Sequence, residues 1–249
     1  IPGYRVMLEP ADFVRQVRDV GMAIVGQTQG LVPADRKLYA LRDVTATVDE
    51  VSLIAASIMS KKIAGGADAI LLDVKVGDGA FMKTVQDARR LALTMLDLGR
   101  RAGRRVACEL TAMSQPLGHA VGNALEVREA LATLRGKGPA DLEELVVHSA
   151  ATLLTLVETG LEEDEARSRA RSTLADGSAS AAYERWIEAQ GGDPRESALP
   201  TAPVVQLVTA SRAGFVRRIS GLGIGRAAVR LGTGRVRKDD AIDHATGIV

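Results

Sequence analysis

A short apolar run at residues 69–74, AILLDV, stands between a Gly-Ala-Asp turn and the glycine loop Gly77-Asp78-Gly79, and it governs how the flanking segments can fold. Such a run reads as a strand buried on both faces, the habit of a sheet covered by helices. The neighbouring sequence supplies those helices. Asp49 can cap a helix over residues 50–64, which Gly65-Gly66 ends by offering a left-handed position. Beyond the loop, Thr84 or Asp87 starts a long helix to about Gly103, with Leu91, Ala92, Met95, Leu96 and Leu98 on one broad face. Residues 106–110 then read as another strand. Helix, strand, helix, strand in succession predicts an α/β fold, a mixed sheet with crossover helices plus further helical segments.

Upstream, residues 10–20 have the spacing of a short amphipathic helix, residues 22–25 read as a strand, and residues 26–31 as a polar turn. Pro33 suits a first helical turn, so residues 34–41 form the next helix, with Arg42 at or just beyond its end. Downstream, four helices follow one another over residues 122–134, 141–159, 163–174 and 179–190. Glu163 with Arg167 and Glu165 with Arg169 have i,i+4 spacing and read as a solvated face. Gly191-Gly192-Asp193-Pro194 breaks the helices, and residues 204–208 and 214–219 look like strands opening a smaller α+β domain. The expected division is therefore 1–200, a central α/β domain with helical segments, and 201–249, an incomplete C-terminal domain. The first residue is Ile1 and the last three, Gly247-Ile248-Val249, resemble the start of a strand, so both ends read as cuts through a longer protein.

Composition narrows the function. Among 249 residues, 32 Lys plus Arg against 31 Asp plus Glu leave a formal charge of +1, with no electrostatic footprint for nucleic acid or an anionic membrane. Aromatic residues are 3% of the chain, too few for base-stacking platforms on single strands. The single Cys108 excludes an internal disulfide and suits a reducing compartment. The sequence contains neither an 18-residue apolar run nor a secretion signal at its first residues, so a soluble, cytoplasmic protein is expected.

Four groups of residues can carry chemistry. Ser57 and Lys61 lie four apart on one expected helix, so a hydroxyl and an ammonium share a face and can hold the edge of a flat polar ligand. Equally, Ser57 can be a small residue in an Ala-rich helix and Lys61 can snorkel to solvent, as Lys62 is expected to do. Arg42 followed by Asp43 can be a guanidinium held by a carboxylate and aimed at a carbonyl or phosphate, or a cation on helix C-terminal carbonyls. The Asp73 to Phe81 segment ends a strand where α/β proteins put ligands, although it lacks P-loop spacing and a tight turn is the simpler role. Residues 113–120, MSQPLGHA, form a loop before a helix that carries Glu129; carbonyls and one carboxylate there suit a hard cation or simply cap the helix. Gly221-Leu222-Gly223-Ile224-Gly225-Arg226 has arginine where a dinucleotide fingerprint needs glycine, which rejects a nicotinamide site. His119, His148 and His244 lack metal spacing and Cys108 has no CxxC partner.

Together, YALRDVTATVDEVSLIAASIMSKKIAGGADAILLDVKVGDGAFMKT, MSQPLGHAVGNALEVREA and GRAAVRLGTGR closely resemble the thymidine phosphorylase and pyrimidine-nucleoside phosphorylase family. The resemblance implies a pentosyltransferase, a dimer whose subunit pairs a mainly helical domain with a larger α/β domain across an active-site cleft. It implies phosphorolysis: thymidine plus phosphate to thymine plus 2-deoxyribose 1-phosphate, with phosphate as co-substrate and no organic cofactor. It places the pyrimidine contacts on Arg42, Ser57 and Lys61, of which Arg42 and Lys61 are catalytic, with Asp43 supporting Arg42. It also implies a cation site, for a monovalent ion such as potassium, at Leu117, Ala120 and Glu129. The family's phosphate loop, K-x-S-T-G-G-V-G-D, and its catalytic histidine have no match in these residues, so this polypeptide alone is expected to have little or no activity. An AMP-phosphorylase-like enzyme and a non-catalytic pyrimidine-binding module are the alternatives.

Overall fold

Parallel strands cannot be joined by a tight turn, so the segment between the two strands of this sheet has to be a crossover. The structure, a computed structural model, describes residues 1–26, 32–45, 47, 50–237 and 239–249, without the side chains of Asp43 and Val44. In chain order it contains α1 (Pro10–Val20), α2 (Pro33–Thr45), α3 (Val51–Ala64), β1 (Ala69–Val76), α4 (Val85–Arg101) and β2 (Arg105–Ala112). There follow α5 (Asn123–Leu134), α6 (Ala140–Val157), α7 (Glu163–Ala175), α8 (Ser178–Ala189) and α9 (Gly221–Ala228). Strands β1 and β2 pair in parallel, Ala69 opposite Arg105 and Val76 opposite Ala112, and α4 makes the crossover. The α/β class is as the sequence implies, with the sheet among the described residues being this parallel pair.

One face of β1 is the centre of the core. Ile70, Leu72 and Val74 are buried against Val51, Ala55 and Met59 of α3 and Ala88, Leu91, Ala92 and Met95 of α4. Each such side chain contributes about 1.5–3 kcal/mol by leaving water. The other face carries Asp73 and Lys75, an ion pair at 2.5 Å, so the strand is buried on alternate residues rather than equally on both faces. Thr84 caps α4 by accepting from the Asp87 amide at 3.1 Å. The cap expected from Asp49 lies outside the described residues, and Glu50, at the N-cap of α3, makes no side-chain cap bond. No helix among the described residues is long and apolar enough to cross a membrane.

Three expected strands are not formed. Residues 22–25 have no ladder: Ile24 gives its N–H and C=O to the side chain of Gln190, and Gly26 donates to the Val6 carbonyl. Residues 204–208 and 214–219 form no regular element and are open, with Val205, Leu207, Phe215 and Val216 exposed. Alternating apolar residues favour a strand only where a second strand takes the backbone groups, and among the described residues none does. Helix α2 runs on to Thr45, which puts Arg42 inside its last turn. The charges on α7 largely face solvent as expected, with Glu163, Glu165 and Arg169 exposed, but the arginines pair outside their own helix. Arg167 pairs with Glu144, and Arg169 holds Glu158 through two bonds at 2.7 and 2.9 Å, so these arginines fasten α7 to α6 and its C-cap.

A single side chain ties the N-terminal segment to α8. Gln190 is wholly buried and its amide donates to the carbonyls of Arg5 at 2.6 Å and Ile24 at 2.8 Å. Its oxygen accepts from Trp186 at 2.7 Å, from the Ile24 amide at 3.0 Å and from Gln16 at 3.1 Å. Trp186 in turn meets Tyr4 and Tyr183 edge-on. Replacing this carboxamide with an apolar group leaves buried backbone groups unpaired, each costing about 1–3 kcal/mol. Gln190→Leu is therefore expected to lower the unfolding free energy by about 3 kcal/mol or more in urea titrations, and an unchanged midpoint would show that water satisfies these groups instead.

Candidate active site

Helix α3 turns two faces to two tasks. Val51, Ala55 and Met59 enter the core, Lys61 reaches Asp35 of α2, and Ile54 and Ile58 pack on the core while lining a pocket with Ser57 and Phe81. Spacing of three and four residues makes both stripes possible on one helix.

Lys61 does not snorkel. Its ammonium donates to Asp35 Oδ2 at 2.5 Å, to Ser57 Oγ at 2.9 Å and to the Ser57 carbonyl at 3.0 Å. Three acceptors match the three N–H groups it has. Lys62, one residue on, is exposed as expected. Asp35, in the first turn of α2, is a site residue that sequence reasoning missed. Acidic residues are common in a first helical turn because of the helix dipole, and nothing in the sequence separates this one from those. Burial pushes the Asp35 carboxyl up, but hydrogen bonds from Lys61 and Ser57, with the charges of Lys61 and Arg42, hold it below its ordinary value.

Arg42 is buried and donates through Nε to the Thr47 carbonyl and through Nη1 to the Leu53 carbonyl, both at 3.3 Å. These carbonyls lie beyond α2, so the guanidinium bridges α2 to α3 rather than closing its own helix. It also sits 5.1 Å from the centre of the Tyr39 ring, a cation–π distance. Asp43 is in α2, but its side chain lies outside the described residues. Thr45 turns back on its own helix, donating to the Leu41 carbonyl at 3.0 Å.

Arg42 and Ser57, with Tyr39, Ile54, Ile58 and Phe81, line a pocket of about 180 Å³. Sites for drug-sized ligands run to about 300–1,000 Å³, so this one suits a single flat ring. Its walls combine donors with aliphatic and aromatic surfaces, and Lys61 stands behind Ser57 at hydrogen-bond distance. Phe81 also borders hollows of about 550 and 400 Å³, room for more of a ligand than its ring.

The glycine loop is a turn. Gly77, at φ +135°, donates to the Met82 carbonyl at 3.0 Å, Ala80 donates to Gly77, and Gly79 donates to the Met113 carbonyl at 3.0 Å. With those amides engaged, the loop offers no nest for phosphate. The Gly221 segment is helix α9, capped by Ser220. Cys108 is half-buried against the core, and burial pushes its thiol up to about 11, which makes it a packing residue.

The loop of Leu117 and Ala120 closes on Glu129 of α5. Glu129 Oε1 accepts from the amides of His119 at 2.8 Å and Ala120 at 3.0 Å. The other oxygen lies against Gly118, at φ +67°, where a Cβ would collide with it. Glu129 thus holds the loop through two of its amides, at the place where the family resemblance implies a cation with the carbonyls of Leu117 and Ala120.

The sequence matches known proteins along the whole chain. Residues 1–180 match the model of the glycosyl transferase family, a/b domain, and residues 215–249 that of the pyrimidine nucleoside phosphorylase C-terminal domain. The chain belongs to this glycosyl transferase family. Pyrimidine-nucleoside phosphorylases of Geobacillus stearothermophilus and Bacillus subtilis are each 47% identical to it over 253 residues, and that of Staphylococcus epidermidis is 46% identical. The whole chain is covered in each case, and it spans 58% of the length of each of these relatives.

The lowered Asp35 value fixes a pH dependence. A depressed carboxyl contributes stability that is whole above its unfolded value, 3.8, and is lost as pH falls through the folded value. The stability difference between wild type and Asp35→Asn should therefore be constant near neutral pH and shrink below pH 3.8. Chemical unfolding across that range checks it, and a difference that does not change with acid would remove the ionised pair.

Proposed function

We propose that this chain is the pyrimidine-holding part of a pyrimidine-nucleoside phosphorylase, converting thymidine and phosphate to thymine and 2-deoxyribose 1-phosphate. The reading is carried by the convergence of Arg42 and Ser57 on one ring-sized pocket with Lys61 behind it. As the bond from sugar to base breaks, negative charge collects on the base and positive charge on the sugar. Cations fixed near the base carbonyls favour that charge distribution over the ground state.

Lys61 has no idle N–H, so a base carbonyl that binds it must replace one acceptor. Ser57 Oγ is the acceptor that can turn away, giving up its own hydrogen bond to Asp35, and its hydroxyl then donates to the base. Asp35 keeps its bond to Lys61 through this exchange and holds the ammonium in place. Arg42 takes the second polar edge, with Asp43 assigned to its support. Ile54, Ile58, Tyr39 and Phe81 enclose the ring and exclude water, which strengthens each polar contact. A potassium ion at Leu117, Ala120 and Glu129 would neutralise the carboxylate and tie the loop to α5. The reading includes a cytoplasmic location, which the single Cys108 supports, and a homodimer, which the family resemblance supports.

The test is a phosphate-dependent assay with thymidine, uridine and deoxyuridine on the protein that carries this chain. Release of free base from at least one supports the reading, and failure with all three counts against it. Thymine affinity without turnover would favour a binding module, and activity confined to nucleoside monophosphates an AMP-phosphorylase-like enzyme. Lys61→Ala should lower kcat by about 100-fold or more, since a contact strengthened in the transition state is removed. Unchanged kinetics would take Lys61 out of the site. Potassium should raise the melting temperature of wild type and not of Glu129→Gln, and an equal rise in both would move the cation elsewhere.

A further inference from the structure

Phe81 lines the ring-sized pocket beside Arg42 and Ser57, yet it is 71% exposed. Packing therefore does little to place it, and the backbone of its loop must. Two sets of contacts hold that loop. The first is local: Gly77 donates to Met82, and Lys83 Nζ donates to the carbonyls of Asp78 at 2.9 Å and Ala80 at 2.6 Å. The second comes from far along the chain. Asp78 Oδ2 accepts from the Ser220 hydroxyl at 2.7 Å and from Arg218 Nη2 at 3.2 Å.

Ser220 is itself fixed. Its oxygen caps α9 by accepting from Gly223 at 3.0 Å, and the Gly221 amide donates to the Ser114 carbonyl at 2.8 Å. Ser114 adjoins Met113, whose carbonyl takes the Gly79 amide. The loop, the exit of β2 and the start of α9 thus form a closed set of anchors. Asp78 Oδ1 is buried with no hydrogen-bond partner, so this carboxylate has lost water on one side and is retained through the bonds on the other. The Ser220 hydroxyl first, then Arg218, hold its carboxyl below the ordinary value.

We propose that Asp78, held by Ser220 and Arg218, is a positioning residue that sets Phe81 against the pyrimidine pocket. Residues 218–220 then contribute to base recognition without touching the base. The inference rests on the phosphorylase reading for its ligand, but the anchoring can be read without one.

Asp78→Ala, Ser220→Ala and Ser220→Thr would be compared with wild type by hydrogen exchange, thermal melting and calorimetric titration with thymine. In both alanine variants the amides of Gly79, Ala80 and Phe81 should exchange about tenfold faster while those of Leu72 and Val74 are unchanged. Thymine should bind about tenfold more weakly, with the melting temperature within roughly 3 °C of wild type. Ser220→Thr, which keeps the hydroxyl, should restore both readouts. Unaltered exchange, or unaltered thymine affinity beside faster exchange, overturns the inference. A wild type that itself fails to bind thymine overturns the phosphorylase reading and the role of Asp78 with it, an outcome distinct from a wild type that binds beside variants that bind equally well.

Discussion

The ion pair between Lys61 and Asp35 is the contact on which the candidate site depends. Helices α2 and α3 touch at few points, and α2 leaves apolar residues such as Leu38 and Leu41 exposed. A largely buried ion pair is a poor source of net stability, because both groups lose water. Its value lies in geometry. With all three ammonium hydrogens directed, the lysine has one orientation, and α2 is brought to the distance at which Arg42 reaches the Leu53 carbonyl. The pocket is the space left between two helices so fastened.

Much of this was legible in the sequence, and the reason is periodicity. The long helices α4 to α8 and the strands β1 and β2 fall within a few residues of expectation because their apolar spacing is unbroken. The pairing of Ser57 with Lys61 was visible as i,i+4 spacing, although spacing alone could not tell a directed ammonium from a solvated one. What distinguishes them is Asp35, 26 residues away, and no local pattern announces a partner at that distance. Gln190 closed the last turn of an ordinary helix in the sequence and proves to be wholly buried between that helix and the N-terminal segment.

The failures share a cause as well. Residues 22–25, 204–208 and 214–219 have the composition of strands, but a strand is a property of two segments. At 22–25 a glutamine side chain took the place of a neighbouring strand. Arg167 and Arg169 of α7 have acids at i,i+4 spacing on their own helix and instead reach carboxylates of α6 and its C-cap, since long side chains bond wherever a carboxylate is nearest rather than where spacing is most regular. In both cases the local pattern was real and a non-local partner decided the outcome.

Helix α3 gives one stripe to the core and a neighbouring one to the site, and Ile54 and Ile58 serve both. This restricts how the protein can diversify. A change that enlarges the pocket wall at Ile54 or Ile58 alters a helix whose opposite edge is seated against β1, so a new ligand preference and a repacked interior would have to arise together. In the loop after β1, Phe81 stands mostly in the open and is where the pocket can drift in small steps.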